Sequence, residues 1–159
     1  MAGKGGRLSC SEVLALIPQQ RPFRFIDELL EIDETRAVGR YRFRPDEFFY
    51  AGHFPGHPIT PGVILMETMA QTGVVALGIF LCALEGLIEP EPALQRGYSM
   101  FCDGQIDIFL PVRPGDEVIM KGERIFWRRK KLRSRVQMEL ADGRIASSCE
   151  LAGIYHEDI

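Results

Sequence analysis

The stretch Gly52-His53-Phe54-Pro55-Gly56-His57-Pro58-Ile59-Thr60-Pro61-Gly62-Val63-Ile64-Leu65-Met66-Glu67 decides how this chain reads. Its first half is a Gly/Pro-rich turn that carries a histidine. Its second half opens an apolar helix, and a lone carboxylate sits in that helix fourteen residues after His53. A carboxylate in apolar surroundings is costly to bury, so its presence needs a reason. A base and an acid brought together in an apolar pocket are what a proton-shuttling elimination requires.

The helix has clear start signals. Thr60 is placed to cap it, and Pro61 to fill its first position, where a missing N–H costs nothing. Gly62 then falls near the second position, among N–H groups that lack helical partners and lie in positive potential. Having no side chain, Gly62 lets a substrate oxygen approach its N–H, which suits a carbonyl becoming an enolate. Taken alone, Pro61-Gly62 also reads as an ordinary loop-to-helix junction. Glu67 lies too deep to serve as an N-terminal charge. Gln71 follows four residues later, so its amide is placed to bond and orient the Glu67 carboxyl. Desolvation raises the pKa of a buried carboxyl, which makes a protonated acid available near neutral pH. The alternative is a purely structural Glu–Gln pair. Gly52 and Phe54-Pro55-Gly56 hold His53 in a tight turn that fixes its direction, although a lone loop histidine also reads as structural or solvent-facing. His57 reads as facing solvent or a partner, and His156 receives no role.

Elsewhere the chain narrows the choice by exclusion. No His/Cys/Asp cluster has metal-ligand spacing, so no metal is expected. There is no Gly-rich phosphate loop and no Gly-x-Ser-x-Gly elbow. Cys10, Cys82, Cys102 and Cys149 are widely spaced without a Cys-x-x-Cys pair, and they read as buried thiols. With 159 residues, 46% hydrophobic and 26% charged, the chain is read as one soluble domain with a real core. Its net charge of −3 gives no global attraction to nucleic acid. Pro61 to Leu84 is long and apolar enough to raise the question of a membrane span. Glu67 and Gln71 on one face, with Gly and Thr around Gly73, favour a fully buried central helix, so no membrane is expected. The apolar run after Lys4 and Arg7 is short and preceded by Glu12, unlike a signal peptide. A cytoplasmic location is expected.

The remaining elements follow from period and punctuation. Residues 1–8 are expected to be disordered, with a single domain over 9–159. Ser9 or Ser11 caps a short helix over Glu12 to Ile17, ended by Pro18. Phe23 to Ile32 mixes strand and loop character, and Ala37 to Arg44 alternates as a strand. Asp46 to Pro58 is a loop. The long helix ends near Gly86, and Glu89-Pro90-Glu91-Pro92 forms a connection. Strands are then expected at Gly97 to Phe101, Gln105 to Leu110, Glu117 to Trp127, Leu132 to Leu140 and Arg144 to Tyr155. Turns fall at Arg113-Pro114-Gly115-Asp116 and at Asp142-Gly143. The layout is α+β, one buried helix with an antiparallel sheet around it.

The central stretch resembles the 3-hydroxyacyl-acyl carrier protein dehydratases of the FabZ type. Their Gly-His-Phe-Pro-Gly-x-Pro, Pro-Gly-Val-Leu and Glu-x-Met-Ala-Gln segments read here as Gly52 to Pro58, Pro61 to Ile64, and Glu67-Thr68-Met69-Ala70-Gln71. A broader likeness includes Arg21-Pro22-Phe23 with Asp27, and Val112-Arg113-Pro114-Gly115-Asp116. The resemblance implies a hot-dog fold. It implies a homodimer in which His53 works with Glu67 of the partner subunit, with a trimer of dimers as a further level of assembly. It implies loss of water from a (3R)-3-hydroxyacyl thioester to give a trans-2-enoyl thioester. His53 would take the α-proton, the Gly62 N–H would hold the thioester oxygen, and protonated Glu67, oriented by Gln71, would protonate the departing hydroxyl. Phe54 would help line an acyl tunnel. The only auxiliary group implied is the phosphopantetheine arm of the acyl carrier protein. Glu67 stands where FabA-type dehydratase/isomerases carry Asp, so the resemblance makes isomerisation less expected than dehydration.

Other features separate this chain from the commonest members. The strand before Pro111 reads Gln105-Ile106-Asp107-Ile108-Phe109-Leu110, with Asp107 where the FabZ type has basic and aromatic character. Its pathway therefore reads as either specialised polyketide or polyene synthesis or housekeeping fatty-acid synthesis. Arg128, Arg129, Lys130, Lys131, Arg133 and Arg135 suit an acidic carrier protein, but a solvated hairpin end that blocks edge pairing is the favoured reading. Two other functions stay open on the same fold: an acyl thioesterase, and a non-catalytic acyl-binding protein.

Overall fold

The computed structural model describes residues 5–88 and 98–156. The expected connection at Glu89-Pro90-Glu91-Pro92 and the expected strand start at Gly97 lie outside the described residues. Helix α1 spans Cys10–Leu16 and starts earlier than expected, because Ser9 and Glu12 form a reciprocal capping box. Strands β1 (Glu28–Ile32) and β2 (Arg36–Arg42) pair antiparallel and are followed by the long helix α2 (Gly62–Leu84). Strands β3 (Tyr98–Ile108), β4 (Glu117–Arg128), β5 (Lys131–Leu140) and β6 (Ile145–His156) complete one six-stranded antiparallel sheet of order β1-β2-β4-β5-β6-β3. β3 is one strand where two were expected. An irregularity between Phe101 and Asp103 interrupts its pairing with β6 without ending it.

The order explains the helix. β2 lies near one edge of the sheet and β3 forms the opposite edge, so the intervening helix crosses the whole sheet. Strict alternation along β5 turns Leu132, Ser134, Val136 and Met138 inward, and β4 adds Val118, Met120 and Gly122. Against them pack Ile64, Leu65, Met69 and Val74 of α2. Its other flank meets Val13, Leu16 and Ile17 of the α1 segment. Covered on both sides, α2 has the length and apolarity of a membrane span, yet 78% of its most apolar window is buried inside the protein. This is the hot-dog arrangement of a long helix wrapped by a curved antiparallel sheet.

Close approach requires small residues at the crossing. A Cβ added to Gly122 of β4 would come within 2.9 Å of the Gly73 Cα, and one added to Gly73 would meet Val136 Cγ2 at 2.3 Å. At this contact the helix is π-helical over Gln71–Ala76. The Ser134 hydroxyl, reaching in from β5, donates to the Gly73 carbonyl at 2.7 Å. Such π segments frequently accompany functional sites.

Several local expectations change. Gly5 to Leu8 pack on the body of the protein: the Gly6 N–H donates to the Ala83 carbonyl and Leu8 is buried. The apolar Leu8 side chain and this backbone bond offset the entropy of ordering a Gly-rich lead-in. Cys82 and Cys149 are buried, but Cys10 is half-buried and Cys102 exposed, since β3 is an edge strand. Burial pushes the Cys149 thiol up to about 12. Arg129 and Lys130 form the β4–β5 turn, both at positive φ, as a tight hairpin matching strand twist requires. Within the basic cluster, Arg133 is committed to Asp103 of β3 and Glu150 of β6, at 2.6 and 3.1 Å.

Candidate active site

The His53 turn is held by its own backbone and by aromatic packing. The His53 N–H donates to Phe49 O, the Ile59 N–H to His53 O, and Phe54 and His57 exchange N–H···O bonds across Gly56, which sits at a φ of 73°. The Tyr50 hydroxyl bonds Thr60 Oγ1 at 2.7 Å, and the Thr60 N–H donates to Val112 O. Thr60 therefore ties the loop to the body and does not cap the helix as expected. Pro61 is the N-cap and Gly62 the first helical residue, so the helix starts one residue later than the sequence suggests. The Gly62 N–H thus stands at the unsatisfied, positive end of α2. A Cβ there would lie 2.8 Å from Ile108 Cδ1, the end of an exposed side chain that can turn aside.

His53 is half-buried. Its Nδ1 lies 2.9 Å from the Ile59 carbonyl, and its ring stacks on Phe54 with centroids 4.2 Å apart. A carbonyl only accepts, so Nδ1 carries the proton and Nε2 offers its lone pair. That is the tautomer a general base needs. Phe54 itself is 55% exposed and packs on the imidazole.

Glu67 and Gln71 are one turn apart on α2. Gln71 Nε2 donates to Glu67 Oε1 at 2.8 Å, the contact their spacing predicts. The same Nε2 donates to the Phe23 carbonyl at 2.9 Å, and Gln71 Oε1 accepts from the Phe25 N–H at 2.7 Å. The amide is fully buried and its direction is dictated by the Phe23–Phe25 backbone. Burial pushes the Glu67 carboxyl above its ordinary value of 4.5, and the hydrogen bond from Gln71 opposes that only in part. The result is an oriented carboxyl inclined to hold its proton. It opens into a cleft lined by Gln19, Ala70, Val74, Val75, Ser99, Met100 and Phe101. Nothing in the sequence pattern marks Gln19 or Ser99, which sit in a loop and on an edge strand without periodic signal.

Within one chain, His53 faces the Ile59 carbonyl and Glu67 faces this cleft, and no hydrogen bond among the described residues joins them. No group of three or more His, Cys, Asp or Glu among the described residues is arranged to hold a metal ion.

A model of the FabA-like domain matches residues 17–149, which takes in the His53 turn, α2 and nearly the whole sheet. The chain belongs to the FabA-like family. Within it, the chain is 34% identical to the 3-hydroxyacyl-[acyl-carrier-protein] dehydratase FabZ of Roseiflexus castenholzii, over 94% of this chain and 97% of that protein. It is 37% identical to the FabZ dehydratase of Proteus mirabilis, over 91% of both chains. The FabZ-type resemblance carried by the motif is therefore shared across almost the full length. Among solved structures, the dehydratase heterocomplex ApeI:P from Xenorhabdus doucetiae superposes with a TM-score of 0.72 at 11% identity, covering 93% of this chain and 91% of that one. A thioesterase from Haemophilus influenzae gives 0.65 at 12% identity, covering 99% and 96%. At such identities these two speak for the fold alone.

Proposed function

We propose that this chain is a 3-hydroxyacyl-[acyl-carrier-protein] dehydratase acting through His53 and Glu67. The observation that carries the reading is the half-buried carboxyl of Glu67, raised in pKa by desolvation and oriented by Gln71 at the mouth of a largely apolar cleft. His53 Nε2 removes the α-proton of the thioester, and the developing enolate oxygen accepts the Gly62 N–H. Glu67 gives its proton to the departing 3-hydroxyl, so water leaves and the trans-2 double bond forms. The proton on the imidazolium and the vacancy on the carboxylate are then exchanged with solvent. Apolar walls exclude bulk water while the enolate exists. No cofactor takes part, the acyl group arriving on the phosphopantetheine arm of an acyl carrier protein.

The catalytic pair is completed across a homodimer, His53 working with Glu67 of the partner subunit. Support comes from β3, an open sheet edge whose exposed Met100, Phe101 and Ile108 continue into Phe109, with Val63 of α2 also exposed. An uncovered apolar edge of this kind invites pairing with a second copy. Residues 9–159 form the single catalytic domain, in a cytoplasmic enzyme. The relatives' shared name favours fatty-acid synthesis as the setting.

The test is turnover of 3-hydroxyacyl thioesters on a carrier protein, followed by mass spectrometry. Loss of about 18 mass units, slowed by His53→Ala by a factor on the order of 10² to 10⁴, is expected for a general base. Release of free acid instead would turn the reading to a thioesterase.

A further inference from the structure

One residue lining the cleft that receives Glu67 carries a shielded polar atom with no partner among the described residues. Gln19 lines it from the loop after α1, and its Oε1 is buried without a hydrogen bond. Most buried side-chain acceptors find a donor, and one left unmet is a cost that calls for an explanation. Glu67 lines the same cleft, yet no hydrogen bond among the described residues joins it to Gln19. Apart from Ser99, the other lining residues, Ala70, Val74, Val75, Met100 and Phe101, offer apolar side chains.

The proposed reaction supplies a group with the complementary need. A 3-hydroxyl must accept the Glu67 proton through an oxygen lone pair. Its own O–H, carried into an apolar cleft, must donate elsewhere or lose a hydrogen bond. We propose that Gln19 is a substrate-contacting residue whose Oε1 accepts the 3-hydroxyl O–H, turning a lone pair of that oxygen toward the Glu67 proton. This inference rests on the dehydratase reading and deepens it. It makes Gln19 the residue that distinguishes a 3-hydroxyacyl chain from a saturated one of equal length.

The experiment replaces Gln19 by Met, close in volume but lacking a strong acceptor, and measures both directions of turnover. Because the equilibrium constant is unchanged, kcat/KM must fall equally for dehydration and hydration. The fall expected is about threefold to tenfold, the worth of one neutral hydrogen bond. It should appear as a raised KM for the 3-hydroxyacyl thioester and a lowered kcat for the enoyl thioester. In a His53→Ala background, where turnover of the 3-hydroxyacyl ligand is slow enough for binding to be read, Gln19→Met should weaken binding of the 3-hydroxyacyl thioester and leave the saturated one unchanged. Equal weakening of both ligands would overturn the inference and make Gln19 a packing residue. So would unchanged kinetics, or the discriminating loss appearing in Ser99→Ala instead. Circular dichroism of each variant separates misfolding from lost contact, with Gln19→Leu as a second apolar replacement. If the wild-type protein dehydrates nothing, the dehydratase reading itself has failed. If it dehydrates and Gln19→Met does not discriminate, only the role of Gln19 has failed.

Discussion

Replacing Gln71 by Met tests the link between the backbone of one loop and the acid of the site. The Gln71 amide is fully buried and makes three hydrogen bonds, to the Phe25 N–H, the Phe23 carbonyl and the Glu67 carboxyl. Met fills nearly the same volume and makes none of them. Phe25 is fully buried, so its N–H loses its acceptor with no water to replace it, at about 1–3 kcal/mol. The Phe23 carbonyl is only part-buried, and hydration limits its loss to roughly 1 kcal/mol or less. Together these give a destabilisation of about 1–4 kcal/mol. With an m-value of roughly 2 kcal/mol/M, the urea midpoint should fall by about 0.5–2 M. It should be measured by circular dichroism at one fixed protomer concentration, since association shifts apparent stability. The second readout is the pH–rate profile. The Gln71 bond lowers the Glu67 pKa against the larger effect of burial, so removing it raises the pKa further. Glu67 acts protonated, hence the basic limb of kcat that it governs should move to higher pH. A midpoint within about 0.3 M of wild type, or a basic limb that stays still or moves to lower pH, would refute the reasoning.

Other outcomes follow from the same contacts. Glu67 has a folded pKa raised above 4.5, so the stability tied to its neutral form is complete below that pH and is lost as pH rises through the folded value. Glu67→Gln should therefore abolish turnover and flatten the pH dependence of the denaturation midpoint on that side, and an unchanged slope would contradict the burial argument. Gly122→Ala places a Cβ 2.9 Å from the Gly73 Cα and should cost about 1–3 kcal/mol, read as a melting temperature several degrees lower. Gly62→Ala should lose activity with little change in melting temperature, because its Cβ shields the N–H while Ile108 Cδ1, 2.8 Å away at the end of an exposed side chain, can turn aside. Ile108→Val removes that atom and should not restore the turnover; restored turnover would remove Gly62 as the oxyanion donor.

The motif from Gly52 to Gln71 could be read without coordinates because its chemistry is local. Glycine and proline punctuate the turn and the helix start, and four-residue spacing puts Gln71 on Glu67. The alternation of Leu132, Ser134, Val136 and Met138 likewise announces a half-buried strand, as Asp142-Gly143 announces its turn. Tertiary structure decided what sequence separation hides. The partners of the Gln71 amide lie 46 and 48 residues away on the Phe23–Phe25 backbone, and no helical period encodes them. The helix start moved by one residue because Thr60 spends its side chain on Tyr50 and its N–H on Val112. The π segment arises where Gly73 meets Gly122 and Ser134 across the core, although its own residues have no local bias toward that geometry. Gln19 lines the cleft only because the loop after α1 is brought to it, and a lone polar loop residue carries no periodicity to read. Local propensity and spacing are properties of neighbouring residues and survive in the linear chain; burial, and with it the pKa of Glu67, belongs to the packed whole.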